Sequence, residues 1–149
     1  TGLWNMKMLL LFMQREHQRS LEEEKTFSVM MIDADNLKGI NDTYGHDAGT
    51  LAIISIAEAM RSVMREADML ARFGGDEFVA MLPETDCQEA LQVGEDMRKK
   101  IAGATLDYEG TPVHLTVSVG IACFPRHGKE LSSIIKMADK ALYVSKKQG

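Results

Sequence analysis

The stretch Met69-Leu70-Ala71-Arg72-Phe73-Gly74-Gly75-Asp76-Glu77-Phe78-Val79-Ala80-Met81-Leu82 reads as two short apolar strands folded back on each other across a glycine pair. Gly74 and Gly75 allow a sharp turn and a close approach of backbone to a bulky ligand. Two acids follow at once, and Phe78 opens an apolar run. The pattern is a hairpin with carboxylates at its tip, anchored by a buried strand. Carboxylates on a rigid turn suit a hard divalent cation, and a bare backbone suits a phosphate. Taken alone, an ordinary Gly-Gly hairpin with a solvated acidic tip fits the same residues.

Working outward, the run Phe27-Ser28-Val29-Met30-Met31-Ile32 is almost continuously apolar, the mark of a strand buried on both faces, and it leads into Asp33-Ala34-Asp35. Residues 5–23 read as an opening helix. A helical turn over 36–41 precedes a polar loop over 42–46. Residues 48–65 place Ile53, Ile56, Ala57, Met60 and Met64 on one helical face. After Pro83 a helix begins near Thr85 or Asp86 and reaches about Ala102. Val113–Ala122 alternates like a strand, and residues 131–146 carry the last apolar stripe, Leu131, Ile134, Ile135, Ala138 and Leu142. Helices alternating with strands around a central hairpin predict an α/β fold: a single domain over 1–149, with a mixed five-stranded sheet flanked by helices. That topology sets Asp33 beside the hairpin tip, where such sheets expose ligand sites.

The chain has 149 residues, enough for one domain burying roughly 68–70% of its unfolded surface. Its formal charge of −5 speaks against a nucleic-acid polymer or a membrane surface as partner, while leaving room for nucleotides held by a local positive cluster. Cys87 and Cys123 have neither metal spacing nor a disulfide framework, so free thiols in a reducing cytosol are expected. His17 and His127 read as solvated surface, and His46 as a structural or phosphate-adjacent loop residue. No apolar run reaches membrane-spanning length. The start at Thr1 and the basic end suggest a domain excised from a longer, regulated protein that can itself be membrane-attached; the domain is expected in the cytoplasm.

Asp33, Asp76 and Glu77 as a set have the chemistry of a magnesium centre. Mg²⁺ takes a few carboxylates plus substrate phosphate oxygens, and such metals lower the pKa of an attacking hydroxyl and neutralise a phosphoryl group in transfer. Lys38 and Lys146 are the candidate phosphate-binding cations.

At this point the residues resemble a known family. Arg72-Phe73 with Gly74-Gly75-Asp76-Glu77-Phe78 is similar to the signature of GGDEF-domain diguanylate cyclases. Thr1-Gly2-Leu3-Trp4-Asn5, the block from Asp33 through Lys38 and Asn41-Asp42 to Gly45-His46 and Gly49, Ser118–Ala122, and Ala138–Lys146 resemble its other conserved stretches, so the likeness runs end to end. The resemblance implies a palm-like nucleotidyl cyclase fold. It implies condensation of two GTP into cyclic di-GMP with release of pyrophosphate, each 3′-oxygen attacking the other nucleotide's α-phosphate across a homodimer. Asp33, Asp76, Glu77 and the carbonyl of Ala34 would hold Mg²⁺ or Mn²⁺, a pair of ions per nucleotide site, and Glu77 would help activate the 3′-hydroxyl. Gly74 and Gly75 would pass close to the nucleotide, Lys38 and Lys146 would neutralise its phosphates, and Asn41 would read the purine edge. Leu37 stands where the family more often has Phe. Arg65 and Asp68 match an inhibitory site for cyclic di-GMP.

One departure bears on the substrate. The family's guanine-reading Asp is here Thr50. A carboxylate accepts both guanine donors, whereas a hydroxyl accepts less and tolerates adenine. In the family, a small hydroxyl residue there accompanies a promiscuous subclass that also makes cyclic GMP-AMP from GTP and ATP. Two other readings stay open: a strictly GTP-specific cyclase, and a silent domain that only senses GTP or cyclic dinucleotide.

Overall fold

A computed structural model of the chain describes residues 3–148; Thr1 and Gly2 of the opening motif, and Gly149, lie outside the described residues. The elements run α1 (Met6–Glu23), β1 (Phe27–Ala34), α2 (Leu37–Tyr44), α3 (His46–Val63), β2 (Met69–Arg72), β3 (Glu77–Pro83), α4 (Cys87–Gly103), β4 (Thr105–Tyr108), β5 (Thr111–His114), β6 (Val117–Phe124) and α5 (Leu131–Lys147). Caps fix several starts. The Asn5 side chain accepts the Met8 N–H at 2.9 Å, and Asp86 and Glu89 form a reciprocal capping box on α4. Gly45, at φ 96°, turns α2 into α3 with a backbone conformation costly to any other residue type.

The main sheet has the order β2-β3-β1-β6. Its strand pairs are antiparallel, and a parallel bridge from Trp4 to Ala71 at the β2 edge makes it mixed. Every residue of β1 is buried, as its continuous apolar run requires. Alternate β1 side chains enter two cores. Met30, Ile32 and Ala34 pack with Ile53, Ile56 and Met60 of α3 and Met97 and Ile101 of α4. Phe27, Val29 and Met31 pack with Leu9 and Met13 of α1 and Ile134, Ala138 and Leu142 of α5. The result is helix, sheet, helix in three layers. Phe27 and Phe78 are fully buried, each contributing about 1.5–3 kcal/mol of transfer free energy.

Four expectations are corrected. The main sheet has four strands, not five, among the described residues, because Thr105–Tyr108 and Thr111–His114 pair with each other. Glu109 and Gly110 both take positive φ (51° and 84°), the two-residue turn that closes a hairpin on itself. The strand expected over Val113–Ala122 is therefore two strands, broken at Leu115-Thr116, where the chain changes partner from β4 to β1. Cys87 and Cys123 are joined by a disulfide rather than free, since α4 packs its first residue against the end of β6, with Cα atoms 5.6 Å apart. Nor are the two histidines merely solvated. The His17 ring packs edge-on against Phe27 and Phe124, and His127 accepts the Cys123 N–H at 2.9 Å. No helix among the described residues is long and apolar enough to cross a membrane.

Candidate active site

Asp33 is the last charged residue of β1, and both neighbouring strands converge on it. In register it faces Glu77 on β3 and Ser118 on β6. One residue on, the Ala34 N–H donates to the Asp76 carbonyl at 2.9 Å, pinning the hairpin tip to the end of β1. Helix α5 brings Lys146 from the other end of the chain, its Nζ 2.5 Å from Asp33 Oδ2. Asp33, Ala34, Asp76, Glu77 and Lys146 thus form one cluster built from β1, the hairpin tip, β3 and α5.

The electrostatics of this cluster are unusual. Asp33 is only 7% exposed, and its second oxygen, Oδ1, is buried with no hydrogen-bond partner among the described residues. An unsatisfied buried carboxylate oxygen is costly unless something positive sits on it. Burial pushes the Asp33 carboxyl above the ordinary carboxylate range; Lys146 opposes this, and the Asp76 charge adds to it. Glu77 is also raised, by burial first and then by the charges of Asp33 and Asp76. Lys146 is raised by its bond to Asp33. A buried carboxylate oxygen without a partner among the described residues, with two further acids close enough for their charges to be felt, suits a hard divalent cation, which takes oxygen ligands. The three carboxylates do not all lie within 4.8 Å of one another.

The hairpin is held by a residue that the sequence marks as part of the signature but gives no role. Arg72 donates from Nε to the Gly74 carbonyl at 3.0 Å and from a terminal nitrogen to the Gly75 carbonyl at 2.6 Å. With both carbonyls drawn to Arg72, the turn is fixed from one side. Neither glycine takes a positive φ, and a Cβ at Gly75 would meet nothing within 4 Å. The fold itself does not demand glycine there.

Beside the tip lies a cavity of about 450 Å³ lined by Leu37, Asn41, His46, Gly49, Thr50, Ile53, Ile54, Arg72 and Gly75. It gathers Leu37, Asn41, Thr50 and Gly75 from the expected nucleotide residues, and adds His46 and Arg72. A Cβ on Gly49 would collide with Asn41 Oδ1, so the bare α3 backbone makes room for that amide. The Thr50 hydroxyl donates to the His46 carbonyl at 3.0 Å. Lys38 is exposed on α2. A cavity of similar size, about 470 Å³, lies across β6 between α4 and the end of α5; it holds Asp35, whose carboxylate accepts from Thr116 and Ser118, and none of the three clustered acids.

Arg65 and Asp68 are not in this cluster; they precede β2, at the opposite end of the hairpin from its tip. Arg65 donates to Asp68 at 2.8 Å and to the Pro83 carbonyl and Thr85 hydroxyl at 2.7 Å. The Arg65 side chain is 54% exposed, that of Asp68 only 1%.

Comparisons with known proteins agree with this fold. The chain is 41% identical over 128 residues to "Diguanylate cyclase A" of Treponema denticola, covering 86% of this chain and 34% of that protein. It is 37% identical to "Diguanylate cyclase DgcP" of Pseudomonas aeruginosa, over 100% of this chain and 22% of that protein. The chain therefore spans about a third or less of these curated relatives. Among solved structures, diguanylate cyclase SiaD of Pseudomonas aeruginosa, in complex with its activator SiaC, superposes with a TM-score of 0.93 at 37% identity, over 100% of this chain and 57% of that one. The GGDEF domain of DgcB from Caulobacter crescentus, in complex with c-di-GMP, superposes with a TM-score of 0.92 at 29% identity, over 100% of this chain and 88% of that one. The family described as "Diguanylate cyclase, GGDEF domain" matches residues 1–149, and the chain belongs to it.

Proposed function

We propose that this domain condenses two GTP molecules into cyclic di-GMP with release of pyrophosphate, as a homodimer in which each domain holds one nucleotide. The observation that carries the reading is Asp33, whose Oδ1 is buried and has no partner among the described residues, in register with Glu77 and beside the hairpin whose tip borders a cavity large enough for a purine. Asp33, Asp76, Glu77 and the Ala34 carbonyl would hold Mg²⁺ or Mn²⁺, a pair of ions per site. When bound, such ions supply charge neutralisation on the phosphates and acidify the attacking 3′-hydroxyl. The chain's own residues do the rest. Glu77, its proton affinity raised by burial, would help activate the 3′-hydroxyl. Lys146 and Lys38 bind the phosphates, Gly74 and Gly75 leave room along the hairpin for them, and Leu37 packs against the base, whose edge Asn41 reads. Arg72 holds the tip by its two glycine carbonyls. A single site holds a single nucleotide, so both reacting groups meet only when two domains face each other. Cyclic di-GMP would inhibit by binding at Arg65, whose side chain is half-exposed and would grip guanine while the covered Asp68 orients it.

Thr50 favours a second product. Its proton goes to the His46 carbonyl, which leaves one hydroxyl oxygen as acceptor toward the base. Guanine offers donors at N1 and N2, and a single oxygen serves them less well than a carboxylate. Adenine lacks those donors, so it leaves no charged acceptor unpaired here, and discrimination is weak. The domain given equimolar GTP and ATP is expected to make cyclic GMP-AMP as well as cyclic di-GMP, and Thr50→Asp to restore guanine preference. Mass analysis of the products decides it. Cyclic di-GMP alone would leave a strictly GTP-specific cyclase. Nucleotide binding without any product from a concentrated dimer would leave a sensor.

A further inference from the structure

At the far end of β6 from the carboxylate cluster lies a second group of ligand-bearing side chains. Ser118 is in register with Asp33, whereas Cys123 pairs with Ser28 near the start of β1, five residues and roughly 16 Å along the strand. Around Cys123 the fold assembles Cys87, the first residue of α4, and His127, from the turn after β6; ligand atoms of the three all lie within 4.8 Å of one another. The turn places the imidazole closely. The backbone N–H of His127 donates to the Cys123 carbonyl at 2.8 Å, and the Cys123 N–H donates back to the ring Nδ1 of His127 at 2.9 Å. A ring nitrogen that accepts an amide proton carries none of its own, which is the form a metal requires. Nδ1 also lies 4.0 Å from Cys87 Sγ.

We propose that Cys87, Cys123 and His127 form, when the Cys87–Cys123 disulfide is reduced, a three-ligand site for Zn²⁺. Two thiolates and an imidazole are a soft to borderline donor set that takes zinc and rejects magnesium. Tetrahedral bond lengths of about 2.3 Å to sulfur and 2.0–2.1 Å to nitrogen put ligand atoms roughly 3.6–3.8 Å apart. Reduction lets the sulfurs separate to that spacing, and Nδ1 needs to approach Cys87 by only a few tenths of an ångström, exchanging the amide proton for the metal. Cys87 stands at the N-terminus of α4, where the helix dipole favours its thiolate. Cys123 is 2% exposed, while Cys87 and His127 are half-buried, so the ion enters from the α4 side. The chemistry balances simply. Two equivalents of a low-molecular-weight thiol reduce the disulfide to two protein thiols and leave as their own disulfide; Zn²⁺ then displaces the two thiol protons. Zinc and the disulfide exclude each other, so zinc also protects the pair from oxidation.

The test uses the domain reduced with a phosphine and then freed of it, with zinc measured against a chromophoric chelator in excess Mg²⁺, which competes at carboxylates and not at thiolates. Reduced protein is expected to bind one zinc and disulfide-bonded protein none. Cys87→Ser and Cys123→Ser should each weaken binding by more than the roughly 10–100-fold that loss of an outer partner costs. Co²⁺ in the unmutated reduced domain should show thiolate-to-metal charge-transfer absorption, a reading independent of whether a variant folds. Asp33→Asn should leave the zinc stoichiometry unchanged. Equal zinc binding by the reduced and oxidised forms, or cobalt without thiolate absorption, would overturn the proposal.

Discussion

Lys146 Nζ, on the last turn of α5, lies 2.5 Å from Asp33 Oδ2 at the end of β1, so the closing helix and the first strand meet at the carboxylate cluster. Helix and strand are locked together by packing one layer back. Gly120 of β6 faces α5, and Ala138 and Leu142 fill the core beneath. The ammonium offsets the Asp33 charge in the resting protein, and in the proposed reaction it would also meet phosphate.

Replacing Lys146 with Met removes that charge while keeping most of the side chain's length. Loss of one preorganised electrostatic group typically lowers turnover by roughly 10²–10³. The Lys146→Met domain is expected to fold, to show a fall of that order in kcat for cyclic dinucleotide formation, and to raise the Asp33 carboxyl pKa further. Steady-state kinetics and carboxyl NMR titration check the two halves.

Stability should depend on pH in a direction set by the raised carboxyls. Asp33 and Glu77 bind protons more tightly folded than unfolded, because burial penalises their charged forms. Their contribution is fully present below the ordinary carboxylate range and is lost as pH rises through their elevated folded values. In chelator, the domain is expected to lose stability over the window beginning at ordinary carboxylate pKa values and extending above them. Glu77→Gln should flatten that slope and raise Tm at neutral pH. Denaturation curves across the window measure it, and stability rising steadily in the wild type would contradict the assignment.

The glycines separate fold from function. A Cβ at Gly75 meets nothing, so Gly75→Ala should change stability by no more than about 0.5 kcal/mol while narrowing the approach to the nucleotide and raising KM. A Cβ at Gly120 would collide with the backbone of Ala138 and Leu142, and overpacking of that kind costs about 1–3 kcal/mol or more. Thermal melts and KM values of the two variants, side by side, make the distinction.

Much of the architecture was legible because it follows from periodicity. The unbroken run Phe27–Ile32 announced a strand buried on both faces, and the stripes of α3 and α5 matched their buried faces. The break at Leu115-Thr116 was hidden because Val113, Leu115 and Val117 keep alternating while the strand changes partner. Pairing of Cys87 with Cys123 depends on how α4 lies across β6, a tertiary fact that residues 36 apart do not announce. The acids of the hairpin stood out by composition. Arg72 did not, because its role is to hold two backbone carbonyls, and backbone acceptors leave no trace in a pattern of side chains.

The central claim is tested most directly by giving the domain GTP alone with Mg²⁺ over a series of protein concentrations and quantifying cyclic di-GMP and pyrophosphate together. The account predicts both products, in a ratio of one cyclic dinucleotide to two pyrophosphates, with a rate per domain that rises with concentration and collapses in Asp33→Asn. Bound GTP with neither product at the highest concentration, or equal rates in the wild type and Asp33→Asn, would contradict it.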